Sequence, residues 1–155
     1  MNGSAVFSRD RRYRYALRRA WDPAGPSILF IGLNPSTADH RVNDRTVARC
    51  IRFAQDWGFG QLVVANLFAF RTPYPRILWQ ASDPVGPKND RWLRRLISES
   101  HTTVAAWGTL GARFGRDREV LAQLANPKCL AISKDGHPKH PLYIRATTEL
   151  RDLVV

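Results

Sequence analysis

Cysteine is nearly absent from this chain, and so is any long apolar run. The two cysteines, Cys50 and Cys129, stand far apart in apolar surroundings. They read as buried small hydrophobes rather than a disulfide, and they cannot supply a four-thiolate metal or iron–sulfur site. No apolar stretch approaches the roughly 20 residues of a membrane span, so no membrane association is expected. The N-terminal MNGSAVFSRDRRYRY has no apolar signal-peptide core, and a cytoplasmic location is expected. A Walker loop, a G-x-G-x-x-G turn and a G-x-S-x-G elbow are all missing, which removes three common routes to nucleotide binding and hydrolysis. His137 and His140 lie three apart with Asp135 close by, but each histidine precedes a proline and no second ligand pair stands out. No metal and no cofactor are therefore expected. A serine hydrolase built on Ser36, with His140 as base, has no assignable acid.

Acidic residues are also scarce. Thirteen Asp and Glu face 24 Lys and Arg, a formal net charge of +11. Such an excess usually marks a polyanion partner, most often nucleic acid. Arg9, Arg11, Arg12, Arg14, Arg18 and Arg19 crowd the N-terminal segment, and the flat guanidinium fork suits phosphate. With 155 residues, 44% of them hydrophobic, the chain suits one compact domain over 1–155, expected as a monomer, and a disordered reading fails.

What is present is a repeated strand–helix alternation. Ala5–Phe7 and Tyr13–Trp21 read as a short N-terminal strand pair. Ser27–Asp39, SILFIGLNPSTAD, starts as a strand buried on both faces, breaks at Gly32 and opens into a polar loop. Val47, Cys50, Ile51, Ala54 and Trp57 recur at helical spacing over 44–57, with Asn43 or Asp44 as cap and Gly58 as stop. Leu62–Asn66 is a second buried strand, followed by a proline-rich loop over 67–87 with room for one helical turn. A helix opened by Asn89, a strand over Thr103–Trp107, a helix from about Thr109 to Leu124, a strand over Cys129–Ile132, a polar loop over 133–141 and a last helix over 143–153 complete the order. Alternation of this kind predicts an α/β fold: a mostly parallel four-stranded sheet with helices on both faces. Its four strand ends carry Asn34, Asn66, Trp107-Gly108 and the His137–His140 loop. Ligands in open α/β sheets bind beyond the carboxyl ends of the strands, so those four ends form a candidate site.

Together IGLNPSTAD, F-A-x-x-x-G-F-G, NLFAFR, DPVGPKND, AAWGTLG and DGHPKHPLY resemble an uncharacterised family, domain of unknown function sixteen forty-three, over nearly the whole chain. Asp44-Arg45-Thr46 stands where that family commonly has D-P-T, which removes a helix-starting proline. A more distant likeness is to the uracil-DNA glycosylase superfamily. Gly32-Leu33-Asn34-Pro35-Ser36 is similar to the G-I-N-P-G of its mismatch-specific branch. Asn66, followed by Arg71 and Pro73, looks like the asparagine that ends a second strand in other branches. Trp107-Gly108 matches a strand ending in W-G, and His140-Pro141-Leu142 approximates the last motif, H-P-S-P-L. The cluster cysteines of the thermostable branches are absent.

That second resemblance implies a uracil-DNA-glycosylase-like three-layer sandwich and hydrolysis of the N-glycosidic bond of uracil, or of another modified or mismatched base, in DNA. Asn34 would position water, and His140 would stabilise the departing base as a neutral donor. Asn66 would read a pyrimidine edge through its paired carbonyl and NH₂. Pro35 and Ser36 would line the site. Phe68, Phe70 or Phe53 would stack on the base, and Leu142 or Tyr143 would wedge into the stack left by a flipped nucleotide. Asp39 reads either as an acid/base group or as a structural cap. Plainer roles compete: an Asx-type turn for Asn34, a loop tether for Asn66, an exposed loop position for His137 and an ordinary loop histidine for His140. The alternative function is a non-catalytic nucleic-acid or nucleotide binder with the same fold.

Overall fold

The computed structural model describes residues 1–154. β3 (Ser27–Gly32) is the middle strand of a seven-stranded sheet, and it runs parallel to β4 (Gln61–Asn66) on one side and β5 (Thr102–Ala105) on the other. β6 (Lys128–Cys129) extends the parallel set beyond β5. The hairpin β1 (Asn2–Phe7) and β2 (Arg14–Ala20) joins antiparallel at the β4 edge, and β7 (Arg151–Asp152) closes the far edge against β6. The strand order is β1-β2-β4-β3-β5-β6-β7.

The expected four-stranded, mostly parallel sheet is thus corrected to a seven-stranded mixed one. The four predicted strands are its parallel centre. The N-terminal strand pair does not stand apart: it pairs along β4 from Leu17↔Val64 to Ala20↔Gln61, with Ala16 and Leu17 buried. An open edge would leave a row of backbone donors and acceptors unpaired, and the hairpin covers it.

Side chains alternate across the sheet as strand geometry requires. Ile28 and Phe30 of β3 pack with Val47, Cys50, Ile51, Phe53 and Ala54 of α1 (Arg45–Asp56). Leu29 and Ile31 pack on the opposite face with Leu78 of α2 (Pro75–Gln80), Leu93 and Leu96 of α3 (Asn89–Glu99) and Val120 of α4 (Arg116–Leu121). The apolar spacing of 44–57 gives the helix expected there. Asp44 is its N-cap, accepting from the Val47 amide at 2.8 Å, a contact worth about 1 kcal/mol. Both cysteines are free and buried, and burial pushes the Cys50 thiol upward.

Of two further predicted helices, one is formed in part and the other is not. The segment expected to be helical from Thr109 to Leu124 is a 3-10 stretch (Thr109–Gly115) followed by the short α4. Phe114 and Gly115 take left-handed conformations between the two, at φ 60° and 67°, and break the run. The last helix, expected over 143–153, is a 3-10 turn at Pro141–Tyr143, irregular chain and β7. Leu153 is buried through β-like pairing, its amide donating to the Pro127 carbonyl.

Candidate functional site

Beyond the carboxyl ends of β3, β4 and β5 opens a cavity of about 710 Å3. Its walls are the Gly32–Ser36 loop, Asn66, the Trp107–Leu110 turn, the Ser133–Tyr143 loop, the start of α1 and Arg14. Asn34, Pro35, Ser36, Asn66, His140, Leu142 and Tyr143, all expected at the site, line it together.

Each polar group is set by its own local structure. Gly32 and Asn66 are register partners at the ends of β3 and β4. A side chain at Gly32 would meet Asn66 Oδ1 at 2.9 Å, so glycine is what lets the Asn66 amide lie across the strand ends. From behind, Asn89 Nδ2 donates to the carbonyls of Asn66 and Leu67, both at 3.0 Å, and Arg116 Nε donates to Leu67 at 2.9 Å. Asn66 Nδ2 itself is buried without a partner. Trp107 is likewise buried with its indole N–H unpaired. A Cβ at Gly111 would fall 2.2 Å from the Trp107 ring, so the glycine seats the indole.

Asn34 is held by its amide nitrogen, which donates to the carbonyls of Pro35, Phe70 and Thr72 at 3.2, 3.3 and 2.8 Å. This ties the proline-rich loop to the β3 loop and leaves Oδ1 as the free acceptor. His140 caps the following 3-10 turn: Nδ1 accepts from the Leu142 amide at 3.2 Å. The proton of the neutral ring therefore sits on Nε2. Burial lowers the His140 pKa below its ordinary 6.5, against a smaller opposing pull from the Asp44 charge, so the neutral donor is the form present at pH 7.

The other expected residues lie elsewhere. Asp39 does not line the cavity; its carboxylate accepts from the Arg41 and Val42 amides at 2.8 and 2.7 Å, which holds it below the usual carboxylate range. Phe68 is fully buried against Trp79 and Phe114. Phe70 packs edge-on to Tyr13, and Phe53 stacks on Trp57. The aromatics that do line the cavity are Phe30, Trp107 and Tyr143. Phe30 belongs to the core on the α1 face of the sheet, whereas Phe68, two residues beyond the end of β4, belongs to the opposite core. Tyr143 is 85% exposed at the rim, its ring centroid 6.1 Å from that of His140. His137, expected to be exposed, is half-buried and lines the cavity, pinned by the Ser133 hydroxyl and backbone.

Two charged residues were missed as site residues. Asp44 uses one carboxylate oxygen on the α1 cap and lines the cavity with the other free. Its position as a helix cap was legible, its proximity to the strand ends was not. Arg14 is only 2% exposed, donates through Nη1 to the Ala38 carbonyl at 3.0 Å, and has no partner at Nε. Burial pulls its guanidinium down to about 10; the Asp44 charge opposes this, and Arg71 and Arg19 add to it. It is still a cation at neutral pH. Among the described residues, no group of three His, Cys, Asp or Glu side chains could hold a metal ion.

The class the fold defines is an α/β protein with a seven-stranded mixed sheet, whose parallel strands end at a cavity. The chain belongs to the family described as protein of unknown function (DUF1643), whose model matches residues 14–142. That span runs from Arg14 through Leu142 and contains every cavity residue discussed except Tyr143. No curated protein and no solved structure matches the chain.

Proposed function

We propose that this protein is a uracil-DNA-glycosylase-like enzyme that hydrolyses the N-glycosidic bond of a modified or mismatched base in DNA. The observation that carries the reading is the meeting of Asn34, Asn66, Trp107 and His140 in one cavity, with the last three offering N–H donors to an acceptor-rich ring. A pyrimidine presents such acceptors, and negative charge gathers on them as the base departs. His140 Nε2–H stabilises that charge. Asn66 reads the edge of the base, its Nδ2 donating to a ring oxygen and its Oδ1 accepting from a ring N–H. Asn34 Oδ1 orients the attacking water, and the free oxygen of Asp44 supplies the carboxylate that faces the developing oxocarbenium charge and takes the water's proton.

A basic surface beside the cavity suits a phosphate backbone. Arg11 and Arg71 both lie over the Phe7 ring, at 4.0 and 4.6 Å from its centroid, next to the loop whose Thr72 and Pro73 line the cavity. Two guanidiniums crowded on one ring repel each other, and a phosphate between them relieves that repulsion. The test is release of free base from single- and double-stranded oligonucleotides carrying uracil, mismatched and modified bases. Wild-type protein that frees none of them removes the reading.

One observation favours a second reading. The amide nitrogen of Asn34 is engaged on three backbone carbonyls, as in a structural asparagine. In that case the cavity binds a nucleotide or nucleic acid without hydrolysis, and the same panel gives saturable, salt-dependent binding with no product.

A further inference from the structure

Three arginines of this chain are buried, and their surroundings differ. Arg19 donates to Asn43 Oδ1 and to the carbonyls of Arg18, Asp39 and Val42. Arg116 donates to the Leu67 carbonyl and to Asp90, with Glu119 3.8 Å away. The Arg14 guanidinium has one hydrogen bond, to Ala38, and takes part in none of the ion pairs of the described residues. It is also the one of the three that lines the cavity. A guanidinium removed from water without an anionic partner is unfavourable, and the favourable complement is an anion brought by a ligand.

The bond ties the Arg14 guanidinium to the carbonyl of Ala38, two residues beyond Ser36, and Ser36 lines the same cavity with no side-chain hydrogen bond to any described residue. Asp44, the cavity's carboxylate, is at the other side of the balance: it supports the Arg14 charge and repels an anion placed against it. Lys139 adds a second cation at the exposed wall, and His140 is neutral. A cavity of about 710 Å3 also falls within the roughly 300–1,000 Å3 of pockets that enclose whole small molecules rather than one ring.

We propose that Arg14 and Ser36 form a phosphate subsite of this cavity, so that the ligand is a nucleoside phosphate whose base lies against Asn66 and Trp107. The inference rests on the nucleobase reading above and names a part of the ligand which that reading leaves open. The phosphate belongs either to a free nucleoside monophosphate or to a nucleotide within a strand, and the chemistry at Arg14 is shared.

The experiment is isothermal titration of the full-length protein with the 2′-deoxynucleosides of uracil, thymine, cytosine, adenine and guanine and with their 5′-monophosphates. For the base that fits, the monophosphate binds about tenfold or more tightly than the nucleoside. Arg14→Gln removes this preference, Arg14→Lys keeps part of it, and Ser36→Ala lowers it with no change at Arg14. Arg14→Met raises the melting temperature of the ligand-free protein, because it removes an unpaired buried charge. Equal binding of nucleoside and monophosphate, an unaltered preference in Arg14→Gln, or no binding of any phosphorylated probe overturns the proposal. A short single-stranded oligomer of the same base separates the sources: weaker binding than the monophosphate assigns the site to free nucleotides, tighter binding to a strand. Arg14-dependent phosphate preference without base release keeps this inference and removes hydrolysis. Base release untouched by Arg14→Gln does the reverse.

Discussion

The two sides of Asn66 are built on opposite terms. Behind it, Asn89 Nδ2 and Arg116 are bonded to the carbonyls of Asn66 and Leu67, Asp90 completes the Arg116 guanidinium, and Asn89 Oδ1 is the one unpaired atom of that pair of side chains. In front of it, Asn66 Nδ2, Trp107 Nε1 and Arg14 Nε are buried and unpaired. Folded proteins bond their buried polar groups, and each orphan needs a reason. Of the six such atoms among the described residues, these three belong to residues that line one cavity, and all are donors. The back of the strand end is a framework that carries stability. The front leaves its donors unpaired.

Substitutions on the two sides should therefore separate stability from binding. The largest effect is expected in front: His140→Ala lowers single-turnover base release by about 10²–10³-fold, the usual cost of losing a donor at a developing oxyanion. Loss of less than fivefold would take His140 out of the chemistry and leave it as the cap of its turn. Behind the strand, Arg116→Met takes from Asp90 its donor and leaves the Leu67 carbonyl with Asn89 alone. It should lower stability by about 1–3 kcal/mol, read as a fall in melting temperature and in urea midpoint. Trp107→Phe is the paired control: it deletes an unpaired N–H, leaves stability within about 1 kcal/mol, and weakens nucleobase binding. A Trp107→Phe protein as unstable as Arg116→Met would erase the contrast between the two sides.

Asp44 sits on the boundary, since one oxygen serves the fold and the other faces the cavity. Asparagine caps helices about as well as aspartate, whereas alanine costs about 1 kcal/mol. Asp44→Ala should accordingly lose both stability and base release, and Asp44→Asn base release alone. Full turnover in Asp44→Asn would confine Asp44 to its cap.

The contrast also explains what was legible in the sequence. Apolar periodicity gave the parallel strands and α1, because Ile28–Ile31 and Val47–Trp57 follow rules that act within a few residues. Order along the chain then brought Asn34, Asn66 and His140 to one edge. What escaped depends on pairing between distant segments. Arg14 looked like one of six arginines in a basic N-terminal stretch, and only the docking of β2 on β4 buries it and brings it to the cavity. Phe68 and Phe70 follow the right motif, but beyond the end of β4 they pack on Trp79, Phe114 and Tyr13 instead. The helix expected over 143–153 failed because Leu153 is buried beside Pro127 and β7, not along a helical stripe.

The smallest expected effect is a pH dependence of stability from His140, and its sign tests whether the cavity holds the ring neutral before any ligand arrives. Burial lowers the His140 pKa in the folded chain below the ordinary 6.5. As pH falls through 6.5 the unfolded chain binds the proton first, so stability declines between 6.5 and the lowered folded value, and below that value this group adds no further loss. Protonation would also cost the Leu142 amide its acceptor at Nδ1. The carboxylates held low by backbone and side-chain donors, Asp39 and Glu99 among them, lose their contribution further down, below the ordinary range for such groups. Urea midpoints across pH 7 to 5 should therefore fall for the wild type and fall less for His140→Gln. A slope of opposite sign would mean that the folded protein prefers the imidazolium, and a cavity of that kind would welcome a second anion where a neutral donor is proposed.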